Sequence, residues 1–296
     1  MKKLMHGCVP FFALAAIGSA AAADLRMPVK APPPVAPAFS WSGCYIGGYA
    51  GGAFTGNDGA VFTAQGQNGL GAAGSTAGFL SYSGGATASR LVPVHSWDAD
   101  LGASFIGGGT IGCNWQPVSS SFVLGVEGEA GFMRLRGNAF DPNTIISTQT
   151  TLDTLGSAKV GDWYGMATGR LGYAWDRTLL YVKGGVAFVP TRSSVVDTCQ
   201  NTAIGCGNWL ITTSSSNTTT TWTAGGGIEW AFSGNWSVKG EYMFIALDDK
   251  GSQACGAVTT PSGTTLAGGP FCFNSSFNGV HTAKLGLNYR FGQVGY

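Results

Sequence analysis

The segment HTAKLGLNYRF, residues 281–291, changes polarity at almost every residue. Its odd-numbered positions are mostly apolar: His281, Ala283, Leu285, Leu287, Tyr289 and Phe291. Its even-numbered positions are polar, charged or glycine: Thr282, Lys284, Gly286, Asn288 and Arg290. Because side chains alternate between the two faces of a β-strand, this period of two predicts a strand with one apolar and one polar face. Both formal charges of the segment lie on the polar face.

The same alternation recurs along the chain and predicts eight strands. They cover approximately residues 43–54, 99–115, 121–134, 161–175, 179–190, 221–232, 236–247 and 279–291. Three connections between them are tight, at 116–120, 176–178 and 233–235. The other four are long and rich in Gly, Ser, Thr and Asn, at 55–98, 135–160, 191–220 and 248–278. This alternation of long and short connections predicts an up-and-down sheet with every long loop at one end.

Nine formal charges in six of these strands lie on the parity opposite to the aromatic residues. They are four acidic and five basic side chains: Glu127, Glu129, Arg170, Lys183, Glu229, Lys239, Glu241, Lys284 and Arg290. A Lys or Arg that faced lipid at the bilayer midplane would cost about 2–4 kcal/mol, which is enough to enforce this sorting. Arg134 has the other parity, but it comes at the loop end of its strand, where lipid head groups would receive it.

Large aromatic residues gather near the predicted strand ends, where the aromatic girdles of membrane proteins lie. They include Trp115, Trp163, Trp175, Trp222, Trp230, Trp236, Tyr289 and Phe291. We therefore predict an all-β fold, an eight-stranded antiparallel up-and-down transmembrane β-barrel with four long extracellular loops and short periplasmic turns. Side chains just fill a barrel of this size, so the nine charges would form a buried, mutually neutralising network. A secreted soluble β-sandwich, which also hides one face of each sheet, is the alternative.

The first residues have the pattern of a secretory signal peptide. Lys2 and Lys3 precede a short apolar stretch, and small residues end at Ala23, so we expect residues 1–23 to be removed. Residues 24–41 are rich in proline and predict an extended periplasmic lead, which leaves 42–296 as the outer-membrane barrel domain. Formal net charge is only +1, and no nucleic-acid partner is expected.

Six cysteines remain after this processing and allow 15 connectivities. The predicted topology favours one of them. Cys199 and Cys206 share the third long loop, Cys255 and Cys272 share the fourth, and antiparallel pairing places Cys44 opposite Cys113. Free thiols are the alternative. A zinc site is less expected because no Cys-x-x-Cys pair or histidine cluster accompanies these cysteines.

Two further motifs bear on catalysis and cofactors. The segment GGGTIG, residues 107–112, fits a dinucleotide fingerprint in spacing, but a second strand follows it instead of a helix, so we interpret the glycines as barrel curvature. His95 and His281 are both expected near the outer rim, but His281 lacks the His-x-Ser spacing of an outer-membrane lipid deacylase. We expect rim histidines, no catalytic residue, no metal and no cofactor.

Several segments together resemble the porin-family outer-membrane proteins of alphaproteobacteria, often called outer-membrane immunogenic proteins. They are KAPPPVAPAF, WSGCYIGGYAGGAF, TIGCNWQ, FVLGVEGEAGF, GRLGYAW, YVKGGVAF and LGLNYRF. The resemblance implies a barrel like the small eight-stranded transmembrane domain of OmpA-like proteins, with a role in envelope integrity and surface antigenicity. In that family, positions like 44 and 113 usually carry an aromatic residue, so a cysteine at both supports their pairing. Tyr289 and Phe291 match the aromatic end that serves as the assembly signal, although this chain runs on to Tyr296.

Three functions follow as hypotheses. The first is a non-enzymatic structural protein and surface antigen of the Gram-negative outer membrane, the second a narrow porin-like channel for small solutes, and the third a lipid-modifying enzyme. The expected partners are outer-membrane lipid and lipopolysaccharide, with the barrel-assembly machinery during biogenesis. A closed sheet has no free edge, so a monomer is sufficient.

Overall fold

The fold is described from a computed structural model that covers residues 39–56, 59–65, 96–142, 154–199, 209–247, 252–265 and 271–291. The predicted signal peptide, most of the predicted lead, His95 and Cys206 lie outside these residues. Among the described residues there is no helix of the length and hydropathy needed to cross a membrane.

The regular structure consists entirely of β-strands in the described ranges. The first seven are β1 (Gly43–Thr55), β2 (Ala60–Gln65), β3 (Ser96–Ala99), β4 (Ala103–Trp115), β5 (Phe122–Phe140), β6 (Thr154–Gly161) and β7 (Tyr164–Trp175). The others are β8 (Thr178–Cys199), β9 (Trp209–Ser233), β10 (Trp236–Ile245), β11 (Ser252–Gly256), β12 (Val258–Thr259), β13 (Phe271–Phe277) and β14 (Val280–Arg290).

Eight of the described strands close a ring of antiparallel pairs. Its order is β1–β4–β5–β7–β8–β9–β10–β14, and β14 pairs back with β1. The alternating segment 281–291 closes the ring, because β14 pairs along β1 from Thr55↔Val280 to Tyr45↔Arg290. The predicted antiparallel barrel is confirmed.

The long connections are more regular than predicted. Residues 135–160 and 191–220 were expected to be loops, but β5 continues to Phe140, β8 to Cys199, and β9 already begins at Trp209. β6 fits between the extended ends of β5 and β8. The loop prediction was wrong because Ser and Thr are frequent on both faces of these segments, as at buried Thr191 and Ser193. The apolar inward residues Val189, Val195 and Ile211 are buried but too widely spaced to mark a strand by composition.

Residues 55–98 and 248–278 were also predicted as loops, and they contribute a second sheet. β11, β13, β2 and β3 pair in that order. Its buried side chains Phe62, Trp97 and Phe273 belong to one apolar cluster with Met133 and Leu135 of the extended barrel wall. The extracellular half of the molecule therefore has a hydrophobic core of its own.

Two aromatic girdles surround the outward face of the barrel. The upper one comprises Phe54, Phe105, Phe132, Trp163, Phe188, Trp222 and Phe244. The lower one, beside the short turns, comprises Trp115, Phe122, Tyr173, Trp175, Trp230, Phe232, Trp236, Tyr289 and Phe291. From Phe122 to Phe132, a rise of about 3.3 Å per residue and a tilt of about 40° give about 25 Å, the height of a bilayer's apolar band. The three short turns lie together at the lower end, which we take as the periplasmic end because outer-membrane barrels have short periplasmic turns.

Inward-facing glycines make room for tyrosine rings inside this wall. Gly108 and Gly131 are directly opposite each other in β4 and β5. A Cβ atom on either glycine would collide with the Tyr49 hydroxyl and with backbone across the ladder. A Cβ on outward-facing Gly109 would find its nearest neighbour, the Gly47 carbonyl oxygen, at 3.5 Å. The glycine surplus of the sequence thus has a packing reason on the inner face.

Gly108→Ala is expected to destabilise the barrel by about 1–3 kcal/mol, because an inserted methyl group must displace Tyr49 or the backbone. The matched control Gly109→Ala is expected to stay within about 0.5 kcal/mol of the wild type. Urea unfolding of each variant in lipid vesicles, followed by tryptophan fluorescence, measures both. An equal loss of unfolding free energy in the two variants would contradict this packing account.

Candidate functional site

The candidate site is the charged interior of the barrel between the two girdles. All nine charges predicted for the lumen are buried, each with 5% or less of its surface exposed. Strand periodicity places them there, since their outward neighbours include exposed Val126, Leu171 and Val182. The register brings the charges to similar heights, as in the direct pairs Arg170↔Lys183, Lys239↔Glu229 and Glu241↔Lys284.

Lys183 lies at the centre of this interior. Its Nζ donates to Glu127 Oε1 at 2.6 Å and lies 2.8 Å from Glu241 Oε2. Glu129 Oε2 is 3.6 Å from the same nitrogen. One ammonium group from β8 therefore joins carboxylates from β5 and β10 across the lumen.

Two more lysines complete the central cluster. Lys239 Nζ donates to Glu127 Oε2 at 3.0 Å, and Lys284 Nζ donates to Glu129 Oε1 at 2.6 Å. Lys284 Nζ is also 2.9 Å from Glu241 Oε1. Three carboxylates and three ammonium groups thus neutralise one another within the barrel.

Arg170 and Glu229 form a second pair nearer the periplasmic end. Arg170 Nη2 donates to Glu229 Oε2 at 2.6 Å, and its guanidinium lies 3.6 Å from the centre of the Tyr181 ring. Ser237 and Asn288 donate to Glu229 Oε1 at 2.5 and 2.9 Å. A buried charge that is paired and hydrogen-bonded in this way does not need bulk water.

Arg290 is buried as predicted, but it lies at the periplasmic mouth and outside the ion-pair cluster. Its guanidinium donates to the Ser40 and Gly234 carbonyl oxygens at 3.1 and 3.3 Å and lies 4.8 Å from the Trp41 ring centre. Its position as the last residue of β14 accounts for the difference. The remaining eight charges, four acidic and four basic, have a net charge of zero.

Trp41 was assigned to the extended lead, yet it is fully buried in the barrel's lower end. Its backbone N–H donates to Gln116 Oε1 at 2.7 Å, and its indole N–H donates to the Asp176 carbonyl oxygen at 3.3 Å. Since Arg290 bonds the third short turn at Gly234, Trp41 and Arg290 together tie all three turns across the mouth. The single tryptophan at the end of a proline-rich stretch was the signal that sequence reasoning missed.

Four inward tyrosines are a further part of the site that the sequence analysis did not assign. Tyr45 donates to Glu127 Oε2 at 2.5 Å, Tyr164 to Glu129 Oε1 at 2.7 Å and Tyr181 to Glu241 Oε2 at 2.9 Å. The Tyr49 and Tyr164 hydroxyl oxygens are 2.5 Å apart. Tyr45 and Tyr49 lie on the parity opposite to Cys44 and Ile46, and that parity was the available signal.

The carboxylates Glu127, Glu129 and Glu241 offer oxygens within 4.8 Å of one another, a spacing compatible with a metal ion. Each of them already accepts a hydrogen bond or an ion pair from a lysine. The three lysines supply the positive charge that a metal would bring, so the cluster is better suited to hold itself together than to bind a cation.

Two of the three predicted disulfides are present. Cys44 and Cys113 lie directly opposite each other in β1 and β4 and are bonded on the outward face. Cys255 and Cys272 link β11 to β13 in the outer sheet. The predicted Cys199–Cys206 bond falls outside the described residues, because Cys206 is not among them.

His281 and Phe291 lie at opposite ends of β14. The His281 ring stacks on Phe54 at 5.5 Å, and its Nδ1 is 2.6 Å from the Tyr242 hydroxyl. Phe291 projects outward next to Tyr289, with ring centres 5.2 Å apart, and its N–H donates to the Cys44 carbonyl oxygen at 2.8 Å. His281 therefore lies at the rim of the barrel. The backbone hydrogen bond of Phe291 joins the end of β14 to the start of β1.

Lys183→Met is expected to destabilise the barrel by about 3–5 kcal/mol, because it leaves buried carboxylates with one cation too few. The double variant Lys183→Met/Glu241→Gln restores the charge balance and is expected to recover part of that loss. Urea midpoints of the folded protein in lipid vesicles measure both. If the double variant is less stable than the single variant by the full cost of a second broken contact, charge balance does not determine the stability of the cluster.

Comparison with known proteins relates this architecture to a family. The family described as "Outer membrane protein beta-barrel domain" matches residues 11–291. The 31 kDa outer-membrane immunogenic protein of Brucella melitensis biotype 1 is 29% identical over 279 residues, covering 92% of this chain and 94% of the relative. The resemblance inferred from the sequence motifs is confirmed.

Solved structures similar to this chain include an outer membrane protein and an attachment invasion locus protein. OprG from Pseudomonas aeruginosa aligns with a TM-score of 0.40 and 10% identity, covering 84% of this chain and 97% of that one. Ail, the attachment invasion locus protein of Yersinia pestis, aligns with a TM-score of 0.31 and 10% identity, covering 84% and 99%. By the family match, which spans most of its length, the chain belongs to the outer membrane protein beta-barrel domain family and is a protein of the outer membrane.

Proposed function

We propose that the protein is a sealed, non-enzymatic structural barrel of the outer membrane that presents its extracellular sheet as a surface antigen. The observation that carries this proposal is the filling of the lumen at three successive heights. Side chains occupy the periplasmic mouth, the bilayer centre and the extracellular half, so solutes meet packed groups at each level.

The periplasmic level is apolar and aromatic. Trp41, Val123, Leu179, Tyr181 and Ala231 form one buried cluster, against which Phe39 packs. The Trp41 and Arg290 hydrogen bonds to the three short turns hold this level in place. Water would have to displace a fully buried indole ring to enter from below.

The central level is ionic, and the extracellular level is apolar again. The eight neutralising charges span the lumen at bilayer depth, with contacts of 2.6–3.0 Å between neighbours from different strands. Above them, Ile106, Met133, Leu135 and Val160 of the wall pack with the outer sheet in one buried cluster. An ion that crossed this level would leave water without gaining ligands, which is costly.

A surface-antigen role is supported by the extracellular sheet and by the name of the relative. The 31 kDa protein of Brucella melitensis is called an outer-membrane immunogenic protein. Here β11 exposes Cys255 in the outer sheet, where a disulfide links it to β13, and the segment after β12 exposes residues 261–265. These exposed residues lie in the part of the molecule beyond the upper girdle.

The enzyme hypothesis has less support from the described residues. A lipid hydrolase would need a serine, a histidine and an orienting carboxylate within hydrogen-bond reach of one another. The His281 imidazole is instead packed among Phe54, Phe244 and Tyr242, with the Tyr242 hydroxyl at Nδ1. This arrangement suits a girdle residue at the head groups.

Planar-bilayer recordings of the purified protein test the proposal. We expect no steady, solute-sized conductance steps at protein amounts at which a known porin gives them in the same membranes. Steady steps that pass through this lumen would overturn the sealed-barrel assignment in favour of the channel hypothesis.

A variant of the plug controls for contaminating porins in that experiment. If steps occur and Lys183→Met changes their conductance or ion selectivity, the current passes through this lumen and the protein is a channel. If steps occur and this variant leaves them unchanged, they come from a contaminant and the sealed assignment stands.

A further inference from the structure

A row of cations crosses the outward face of the wall above the upper girdle. Arg136 of β5 pairs directly with Lys159 of β6, and Lys159 pairs directly with Arg192 of β8. Arg134 lies two residues before Arg136 on the same face of β5. We call these four residues the cationic row.

Like charges directly opposite one another destabilise a sheet, so negative charge must lie nearby to offset the repulsion within the row. Asp162 supplies part of it, at 2.9 Å from Arg134 Nε, 2.5 Å from Lys159 Nζ and 3.9 Å from Arg192 Nη1. The hydrogen bond from Lys159 holds the pKa of the Asp162 carboxyl below its ordinary value, so this group is charged at neutral pH. Four cations and one carboxylate leave the row with a net charge of +3.

The backbone at Asp162 is strained, as is often found at ligand-binding sites. Asp162 has a φ of +106°, a conformation that few residues other than glycine adopt. Gly161 before it has a φ of +95°. Strained residues persist where the surroundings hold them and are common at ligand sites. Here the strained turn aims a carboxylate at three cations of the row.

A cleft of about 670 Å³ opens along the same strands. Its lining includes Arg136, Lys159 and Arg192 together with the outward hydroxyl-bearing residues Ser157, Ser194 and Ser216. The Arg192 side chain is 58% exposed and that of Arg134 is 59% exposed, so both guanidinium groups are open to a ligand. Arginine forks and hydroxyl donors are the groups that recognise phosphate oxygens.

The row lies at the height of lipid head groups. Arg136 follows Phe132 of the upper girdle by four residues in β5, and Arg192 follows Phe188 by four residues in β8. At about 3.3 Å per residue and a tilt of about 40°, this places Arg136 and Arg192 about 10 Å beyond the girdle and Arg134 about 5 Å beyond it. Long connections lie on the extracellular side, so these head groups are those of the outer leaflet.

We propose that the cationic row binds the phosphate groups of the phosphorylated glycolipid of the outer leaflet, lipopolysaccharide. Its net positive charge, its hydroxyl-lined cleft and its height complement a phosphorylated sugar anchored in the membrane. This site lies on the outer wall and is independent of whether the lumen conducts.

Binding of lipopolysaccharide to the purified full chain in detergent micelles tests the proposal. A cation near an anionic membrane surface is worth about fivefold in affinity, so Arg136→Gln/Lys159→Gln/Arg192→Gln should weaken binding about a hundredfold. Arg192→Gln alone should weaken it about fivefold. The matched control Arg177→Gln, which removes an exposed cation of a periplasmic turn, should leave it unchanged. Chemically dephosphorylated lipopolysaccharide should bind the wild type about as weakly as the triple variant binds the intact glycolipid.

Three results would overturn the assignment. One is a folded triple variant, with an unchanged heat-dependent shift on gels, that binds as the wild type does. Another is equal wild-type affinity for intact and dephosphorylated glycolipid. The third is inorganic phosphate binding as tightly as the glycolipid, which would make this a free-phosphate site. If the triple variant fails to fold, the single variants Arg136→Gln, Lys159→Gln and Arg192→Gln take its place, each with the fivefold expectation.

Discussion

The exclusion of ions from hydrocarbon is the constraint on which this structure depends. Every formal charge at bilayer depth must turn toward the barrel axis, and there it must find an opposite charge because little water remains. Four carboxylates and four cations satisfy both conditions, with Lys183 at the centre of the cluster. The outward positions left over carry the aliphatic belt and the two girdles. One electrostatic rule thus shapes both faces of the wall.

The rest of the interior follows from that central layer. An ionic layer needs shielding from water above and below, and apolar clusters supply it on both sides. Inward tyrosines connect the layers, since Tyr45, Tyr164 and Tyr181 donate their hydroxyl groups to the carboxylates. The rings of Tyr45 and Tyr181 also fill the space beside the inward glycines Gly112 and Gly227. The hydrocarbon that excludes ions ends at the upper girdle, so the cationic row beyond it can face outward.

The sequence predicted those features that depend on strand parity. Alternation located the barrel strands, the buried charges and the opposition of Cys44 to Cys113, because each follows from a period of two. It did not predict the strands inside the long connections, whose Ser- and Thr-rich composition is typical of loops but whose inward positions, such as Val195, are buried. Nor could it separate Arg290 from the cluster or place Trp41 at the mouth, because both depend on where the short turns meet across the barrel.

Spin labels attached one at a time at Leu171 and Val182 test the central claim most directly. These residues are paired on adjacent strands, and their neighbours Arg170 and Lys183 face the lumen. In lipid vesicles, both labels should collide with dissolved oxygen and be shielded from a water-soluble nickel chelate. A label at Val118, which is 97% exposed in a periplasmic turn, should show the reverse. Nickel accessibility at Leu171 and Val182 equal to that at Val118 would contradict the account.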